Sequence, residues 1–263
     1  TYNGDMDLSI IDELPKNRPD IHTSFIEKEN LSAAFNFIRE KVEDGGQTII
    51  VYPLINESEK QDLSAAVESY EYLRDNIFPD LTVGLMHGKL EDENKNLEMN
   101  NFMKGEIDIL VSTTVVEVGI DNPNVNVMLI NNSERFGLSQ LHQLRGRVGR
   151  GTMESYCLLC SDSESPKTKE RLSIIVNSRN GFEIADEDLK LRGPGEFFGE
   201  KQSGFVKFKI ADLITDGPII RDARMKAFEI IKNDANLSQE NHSFIKQKFD
   251  NEYLKLFLKT TVN

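Results

Sequence analysis

The sequence predicts an α/β fold in which a parallel sheet is covered by helices on both faces. Six apolar segments read as continuous runs rather than alternating ones, which is typical of strands buried on both sides. They comprise residues 21–25, 48–52, 82–86, 108–112, 126–130 and 155–159. Helical segments separate these runs, and this alternation favours a doubly wound parallel sheet.

Three helices are predicted between the strands. The first carries one apolar stripe, formed by Leu31, Ala34, Phe35, Ile38 and Val42 at helical spacing. Asn30 is its expected N-cap, and Gly45-Gly46 is expected to end it. A second helix is predicted over residues 61–78 and a third over 92–103, with Pro79 and Gly105 as stop signals.

The pattern changes after Ser161. Helices are predicted over residues 166–178 and 182–191. A shaped loop is predicted to follow at Arg192–Gly199, because four of the seven residues 193–199 are glycine or proline. Two further helices are predicted over residues 218–233 and 239–258. Both are expected to pack on the sheet domain rather than form an independent one.

Composition and charge limit the classes of protein to consider. At 263 residues, the chain suffices for one or two domains whose core needs no disulfides. It has no apolar run of about 18 residues, the length that predicts a membrane span. The net charge of −13 taken alone disfavours a nucleic-acid partner. Positive residues nevertheless cluster at 145–150, 167–171 and 201–209, so the local pattern outweighs the average.

The two cysteines, Cys157 and Cys160, are predicted to be buried core residues. They lie inside an apolar strand, where a separation of three directs the two sulfurs to opposite faces. No second Cys/His pair completes a zinc site, so no metal site is predicted. The sequence begins at Thr1 with neither an initiator methionine nor a signal pattern, as expected of a fragment boundary.

The segment Gln143–Arg150 carries the strongest functional signal. Its sequence, Gln-Leu-Arg-Gly-Arg-Val-Gly-Arg, places three arginines within six residues. The planar guanidinium group suits phosphate oxygens, and the glycines allow close backbone approach. A solvated basic turn is the alternative for such a segment in isolation. The amphipathic turn at residues 139–143, which is expected to present the arginines from a fixed base, disfavours that alternative.

A second motif lies upstream, where residues 109–121 form an apolar strand and a hydroxyl-rich turn that ends in Gly-Ile-Asp. Together the two segments resemble motifs V and VI of superfamily two helicases. The resemblance implies three sets of site residues: catalytic arginines at Arg147 and Arg150, nucleotide-binding residues at Gly119, Asp121 and Gln143, and nucleic-acid-facing threonines at Thr113 and Thr114. Because ligands of parallel sheets bind beyond the carboxyl ends of the strands, both motifs are expected there.

Residues 188–204 indicate a narrower family. Their sequence, Asp-Leu-Lys-Leu-Arg-Gly-Pro-Gly-Glu followed by Gly199, Gln202, Ser203 and Gly204, resembles the translocation motif shared by RecG and the transcription-repair coupling factor Mfd. Stretches within residues 4–15, 87–90 and 208–213 favour RecG, as does the tail. In those families a helical hairpin and loop convert ATP-driven closure into movement on duplex DNA. The resemblance implies that Arg171, Arg192 and Gln202 couple this hairpin to the motor.

The RecG resemblance also implies a domain organisation and a fold family. The sheet domain is expected to be RecA-like, of the P-loop NTPase type. Four regions are expected: an interdomain linker at residues 1–20, a helicase C-terminal RecA-like domain at 21–165, the translocation hairpin and loop at 166–213, and C-terminal helices at 214–263.

The implied function is that of the second motor domain of an ATP-dependent DNA helicase that remodels branched DNA, such as stalled forks and Holliday junctions, in repair and recombination. The implied partners are branched duplex DNA and, in the same protein, a first RecA-like domain and a wedge domain, without a membrane. The implied location is the bacterial cytoplasm, on the nucleoid. An Mfd-like translocase and a non-catalytic RecA-like binding module are the alternatives.

The Gly-x-x-x-x-Gly-Lys-Ser/Thr and Asp-Glu-x-His-type motifs of a first motor domain do not occur in the sequence. ATP and Mg²⁺ are therefore expected to bind mainly to that other domain. The fragment alone is expected to be inactive and to hold no cofactor tightly.

Overall fold

The computed structural model describes residues 20–53, 59–113, 121–197 and 216–253. The chain divides into two compact units, Thr1–Ala185 and Asp186–Asn263. The first unit contains the predicted sheet, which has six strands in the order β1-β6-β5-β2-β4-β3.

All strand pairs of this sheet are parallel, as predicted. The strands are β1 (Ile21–Glu27), β2 (Gln47–Val51), β3 (Val83–Met86), β4 (Ile109–Ser112), β5 (Val125–Ile130) and β6 (Ser155–Ser161). Every residue of β2, β4 and β5 is buried, which explains why these runs do not alternate in polarity. Helices cover the sheet, so the predicted α/β fold class is confirmed.

Glycines end two of the helices, as predicted. Helix α1 (Leu31–Glu43) is followed by Gly45 with φ +92°, and α3 (Asp92–Met103) is followed by Gly105 with φ +78°. This left-handed backbone favours glycine. Asn30 occupies the N-cap position of α1, but its side chain makes no capping hydrogen bond. Its φ of −96° and ψ of 5° lie outside the extended region that N-cap geometry requires.

The predicted helix over residues 61–78 consists of two parts. Helix α2 (Glu59–Tyr72) continues into a π-helical turn at Leu73–Ile77, and Phe78 N donates a 2.7 Å hydrogen bond to Leu73 O. Leu73 and Phe78 are both fully buried. The π-helical turn, which is wider than an α-helical turn, therefore places both of these side chains in the core.

Both cysteines are buried in β6, as predicted. Cys160 lies in an apolar cluster with Ile38, Ile50 and Leu129, and Cys157 is influenced by the charge of Arg145. Burial raises the pKa of the Cys157 thiol to about 12 and that of Cys160 to about 11. Both thiols are thus held in the protonated, unreactive form.

The loop predicted at Arg192–Gly199 is wrong for residues 192–197. Helix α5 (Pro166–Asn177) is followed by α6 (Gly181–Phe197), which continues through Gly193, Pro194 and Gly195. Glycine and proline disfavour a helix by about 1 and about 3 kcal/mol, which is a preference and not a prohibition. Extending a helix already formed over the preceding turns is much easier than nucleating one. Residues 198–215 lie outside the described ranges.

The two C-terminal helices are present as α7 (Gly217–Asn233) and α8 (Ser243–Lys248), and a π-helical turn follows at Phe249–Tyr253. The buried carboxylate of Asp234 joins them, accepting hydrogen bonds of 2.9 Å from Ser238 N, Gln239 N and His242 Nδ1. The expectation that these helices pack on the sheet domain stays a prediction. Within the described ranges, no helix is both long and apolar enough to cross a membrane.

Candidate functional site

The predicted site residues lie at two opposite edges of the sheet. Thr113 directly follows β4, at the edge where the strands end (the carboxyl edge). Asp121 precedes β5, and Arg147 and Arg150 precede β6, so these three lie at the edge where the strands begin (the amino edge). The expectation that both motifs lie at carboxyl ends therefore holds for Thr113, and it is wrong for Asp121 and for the Gln143–Arg150 segment. After β5, helix α4 (Leu138–Arg145) returns antiparallel to the strands and delivers the arginines to the amino edge.

Helix α4 is the base from which the arginines project, as predicted. Its apolar side chains Leu138, Leu141 and Leu144 are fully buried. Its first turn is closed by Gln140 Oε1, which accepts a 3.1 Å hydrogen bond from Gly137 N. Gly149 follows the helix with φ +73°, a conformation that favours glycine. Residues 146–151 form the arginine loop. Packing of α4 fixes the start of this loop, and Gly149 allows the backbone to bend.

Arg150 pairs with Asp121 at the amino edge. Its Nη1 lies 2.9 Å from Asp121 Oδ1, and the side chains are 33% and 77% exposed. Arg147 is half-buried, and Gln143 is exposed one helical turn before it. Exposed ion pairs contribute only about 0–1 kcal/mol. Arg150 can therefore exchange its aspartate for a phosphate at little cost.

Arg145 is a buried arginine of the Gln143–Arg150 segment that the sequence prediction did not single out. It is buried, and its Nη1 donates hydrogen bonds to Ile175 O at 2.6 Å and to Ser178 O at 2.8 Å. These carbonyls belong to the C-terminal end of α5, where a cation is favourable. The spacing of Arg145 could have indicated its burial, since Arg145 continues the buried stripe of Leu138 and Leu141. Arg145 thereby joins the end of α4 to the end of α5.

Arg171, within α5, contacts the segment that precedes α4. Its Nη1 donates a 2.7 Å hydrogen bond to Phe136 O, and its Nη2 donates to Glu134 O. Both carbonyls lie in the connection that leads from β5 into α4. Arg171 is half-buried, and its guanidinium is held by this backbone segment.

The buried polar atoms that have no hydrogen-bond partner among the described residues include two that follow adjacent strands at the carboxyl edge. They are Thr113 Oγ1 and His87 Nδ1, which follow the neighbouring strands β4 and β3. Burial lowers the pKa of His87, and the charges of Lys95 and Lys89 lower it further. Buried polar groups are normally satisfied, so this pair indicates a place for a polar ligand. The sequence pattern had predicted Thr113 here but had not assigned His87 to it.

The remaining predicted residues cannot be placed in full. Thr114 and Gly119 fall within residues 114–120, and Gln202 falls within 198–215, all outside the described ranges. Arg192 lies in α6, but its side chain is not described. Across the described ranges, no group of three or more His, Cys, Asp and Glu residues could hold a metal ion.

Comparison with known proteins gives matches over most of the chain. The helicase conserved C-terminal domain matches residues 29–152, and the C-terminal part of domain 3 of ATP-dependent DNA helicase RecG matches residues 178–263. The chain is 48% identical to the RecG helicase of Synechocystis sp. over 97% of its length, and 49% identical to that of Thermotoga maritima over 91%. It covers 31% of each of these relatives, about a third of their length.

A solved structure of RecG bound to a three-way DNA junction is also similar. It superposes on 79% of this chain with a TM-score of 0.62 and 48% sequence identity, and the chain covers 26% of that protein.

Proposed function

The chain belongs to the RecG family, and on that premise we propose that it is the second motor domain of an ATP-dependent DNA helicase that remodels branched DNA in repair and recombination. The observation that carries the proposal is the amino-edge cluster of Asp121, Arg147 and Arg150. The match over residues 178–263 supports this function over an Mfd-like one. The proposed location is the bacterial cytoplasm, on the nucleoid.

The proposed chemistry is stabilisation of charge during ATP hydrolysis. As the γ-phosphoryl group transfers, negative charge spreads over its oxygens, and guanidinium groups stabilise that state more than the ground state. Arg147 and Arg150 supply these groups, while a first RecA-like domain of the same protein supplies the phosphate-binding loop. Mg²⁺ would neutralise phosphate charge and be held by carboxylates of that other domain.

Asp121 has two proposed partners in this cycle. Without nucleotide its carboxylate holds Arg150 at 2.9 Å. With ATP in the cleft, the carboxylate accepts a hydrogen bond from a ribose hydroxyl, and Arg150 moves to the γ-phosphate. Gly119 and Gln143 are proposed to line the same nucleotide site.

The carboxyl edge is the proposed DNA side. Thr113 and His87 offer buried polar atoms there, and a phosphate oxygen can accept from the threonine hydroxyl. Thr114 is proposed to contact the same strand. Such phosphate contacts are insensitive to sequence and weaken as salt rises.

Coupling between the two sides is proposed to pass through α4 and α5. Arg145 and Arg171 join these helices near both ends, so displacement of the arginine loop moves the hairpin as well. Arg192 and Gln202 are proposed to extend this connection to branched duplex DNA, past a wedge domain elsewhere in the protein.

The decisive experiment is Arg150→Ala in the full-length protein. DNA-stimulated ATP hydrolysis is expected to fall by about 10³- to 10⁵-fold, the usual contribution of an arginine finger. Binding to a forked DNA, measured by fluorescence anisotropy, is expected to stay unchanged. Arg74→Ala is the matched control, because Arg74 is also an exposed arginine paired with an aspartate, Asp75 at 2.6 Å. Near-normal ATP turnover in Arg150→Ala would show that Arg150 does not take part in ATP hydrolysis.

A further inference from the structure

We propose that a buried amide pair, Asn122 and Gln47, positions Asp121 for the ribose of ATP and for Arg150. The proposal rests on the function proposed for Asp121, and extends it to two residues that do not touch the nucleotide themselves. Asn122 follows Asp121 directly in the chain, whereas Gln47 begins the distant strand β2.

Asn122 is anchored in the interior through both ends of its amide. Its side chain is buried, and Nδ2 donates hydrogen bonds to Gln47 Oε1 at 3.0 Å and to Phe102 O at 3.3 Å. Its Oδ1 accepts a 3.0 Å hydrogen bond from Asn124 N, which closes a tight turn before β5. Every polar atom of the side chain therefore has a partner.

Gln47 extends the network to a third segment. Its Nε2 donates to Phe102 O in the last turn of α3 at 2.7 Å, and to Ile107 O in the connection between α3 and β4 at 2.6 Å. Its backbone N donates to Asn124 O at 2.8 Å. A buried and fully satisfied polar network fixes its members strongly, because any displacement leaves a desolvated group unpaired. The backbone at Asn122 is thus held by β2 and by the end of α3.

The fixed backbone has direct consequences for the amino-edge cluster. Asp121 is mostly exposed. Within the described structure, its side chain is restrained mainly by the ion pair with Arg150 and by the backbone that it shares with Asn122. The turn that Asn122 closes also contacts the arginine loop, since a methyl group added at Gly151 would overlap the carbonyl oxygen of Pro123. Anchoring residues 122–124 therefore sets where Asp121 stands and where Arg150 meets it.

A positioning role and a purely structural role differ in one measurable quantity. General loss of stability lowers turnover of all nucleotides together, whereas displacement of Asp121 reduces only the advantage given by the ribose hydroxyls. That advantage is the ratio of kcat/KM for ATP to kcat/KM for 2′,3′-dideoxy-ATP. A hydrogen bond to a carboxylate is expected to make this ratio about 10 to 100.

The test measures this ratio in the full-length enzyme with forked DNA present. Asn122→Ala is expected to lower the ratio by about fivefold or more, because loss of the anchor weakens a charge-assisted hydrogen bond. Gln47→Leu, which changes a residue far from Asp121 in sequence, is expected to act in the same direction. Asn100→Ala, on the exposed side of α3, is the matched control and should leave the ratio unchanged.

Asp121→Ala separates failure of this proposal from failure of the proposed function. If that variant keeps the wild-type ratio, Asp121 does not bind the ribose and the functional assignment is wrong. If Asp121→Ala abolishes the preference while Asn122→Ala and Gln47→Leu retain it, the positioning role alone is overturned. Should Asn122→Ala not fold, Asn122→Ser is measured instead, since serine keeps an acceptor for Asn124 N and must still lower the ratio.

Discussion

Replacing Arg145 by methionine tests the hydrogen bonds that connect the end of α4 to the end of α5. Methionine fills most of the same volume but donates no hydrogen bond, so the carbonyls of Ile175 and Ser178 lose the donor at 2.6 and 2.8 Å. An unsatisfied buried carbonyl costs about 1–3 kcal/mol, and loss of a cation at a helix C-terminus costs about 0.3–1 kcal/mol. Because Ser178 O is only partly buried, we expect the free energy of unfolding to fall by about 3 kcal/mol.

Urea unfolding of the chain, followed by circular dichroism because the sequence has no tryptophan, measures this change. At a slope of about 2–3 kcal/mol per molar, the midpoint should fall by about 1 M or more. Arg145→Lys keeps the charge but not the planar fork, so it should recover part of the loss. Arg135→Met, at an exposed arginine, should change stability by less than about 0.5 kcal/mol. An Arg145→Met protein within about 1 kcal/mol of wild type would refute the reasoning.

Two further predictions follow from ionisable groups. Hydrogen bonds from the backbone of Gln239 and from His242 lower the pKa of Asp234, so its contribution to stability is present above the ordinary aspartate pKa of 3.8 and is lost as pH falls below it. Acid titration of α7 and α8 by circular dichroism should show this loss, and Asp234→Asn should remove the pH dependence in that window. The raised pKa values of Cys157 and Cys160, about 12 and about 11, predict no alkylation by iodoacetamide at pH 8 in the folded protein. Mass spectrometry that finds either thiol modified as fast as in urea would contradict their burial.

The sheet could be predicted from sequence because its signals are local. Continuous apolar runs located all six strands, with bounds that differ from the structure by no more than two residues. Gly45 and Gly105 marked helix ends, because only a left-handed backbone closes those turns well. The resemblance to superfamily two helicases assigned Asp121, Arg147 and Arg150 to one nucleotide site, and Asp121 and Arg150 do form a pair.

Features that depend on distant contacts were not predictable in this way. The edge to which α4 carries its arginines depends on the direction in which the helix crosses the sheet, which periodicity does not encode. The pairing of Asn122 with Gln47 joins residues 75 positions apart, and neither residue has a distinctive neighbourhood in sequence. Local propensity also failed at Gly193 and Pro194, where an established helix continued through unfavourable residues.

The placement of the two residue groups on opposite edges of one sheet bears on how such chains diversify. Strands of four to seven residues separate the edges by about 13 to 23 Å, beyond the range at which substitutions usually interact. Under the proposed function, a substitution at Thr113 or His87 is therefore expected to leave the geometry of the Asp121–Arg150 pair unchanged. Under that function, lineages can vary the residues that contact nucleic acid while the nucleotide-binding residues stay the same.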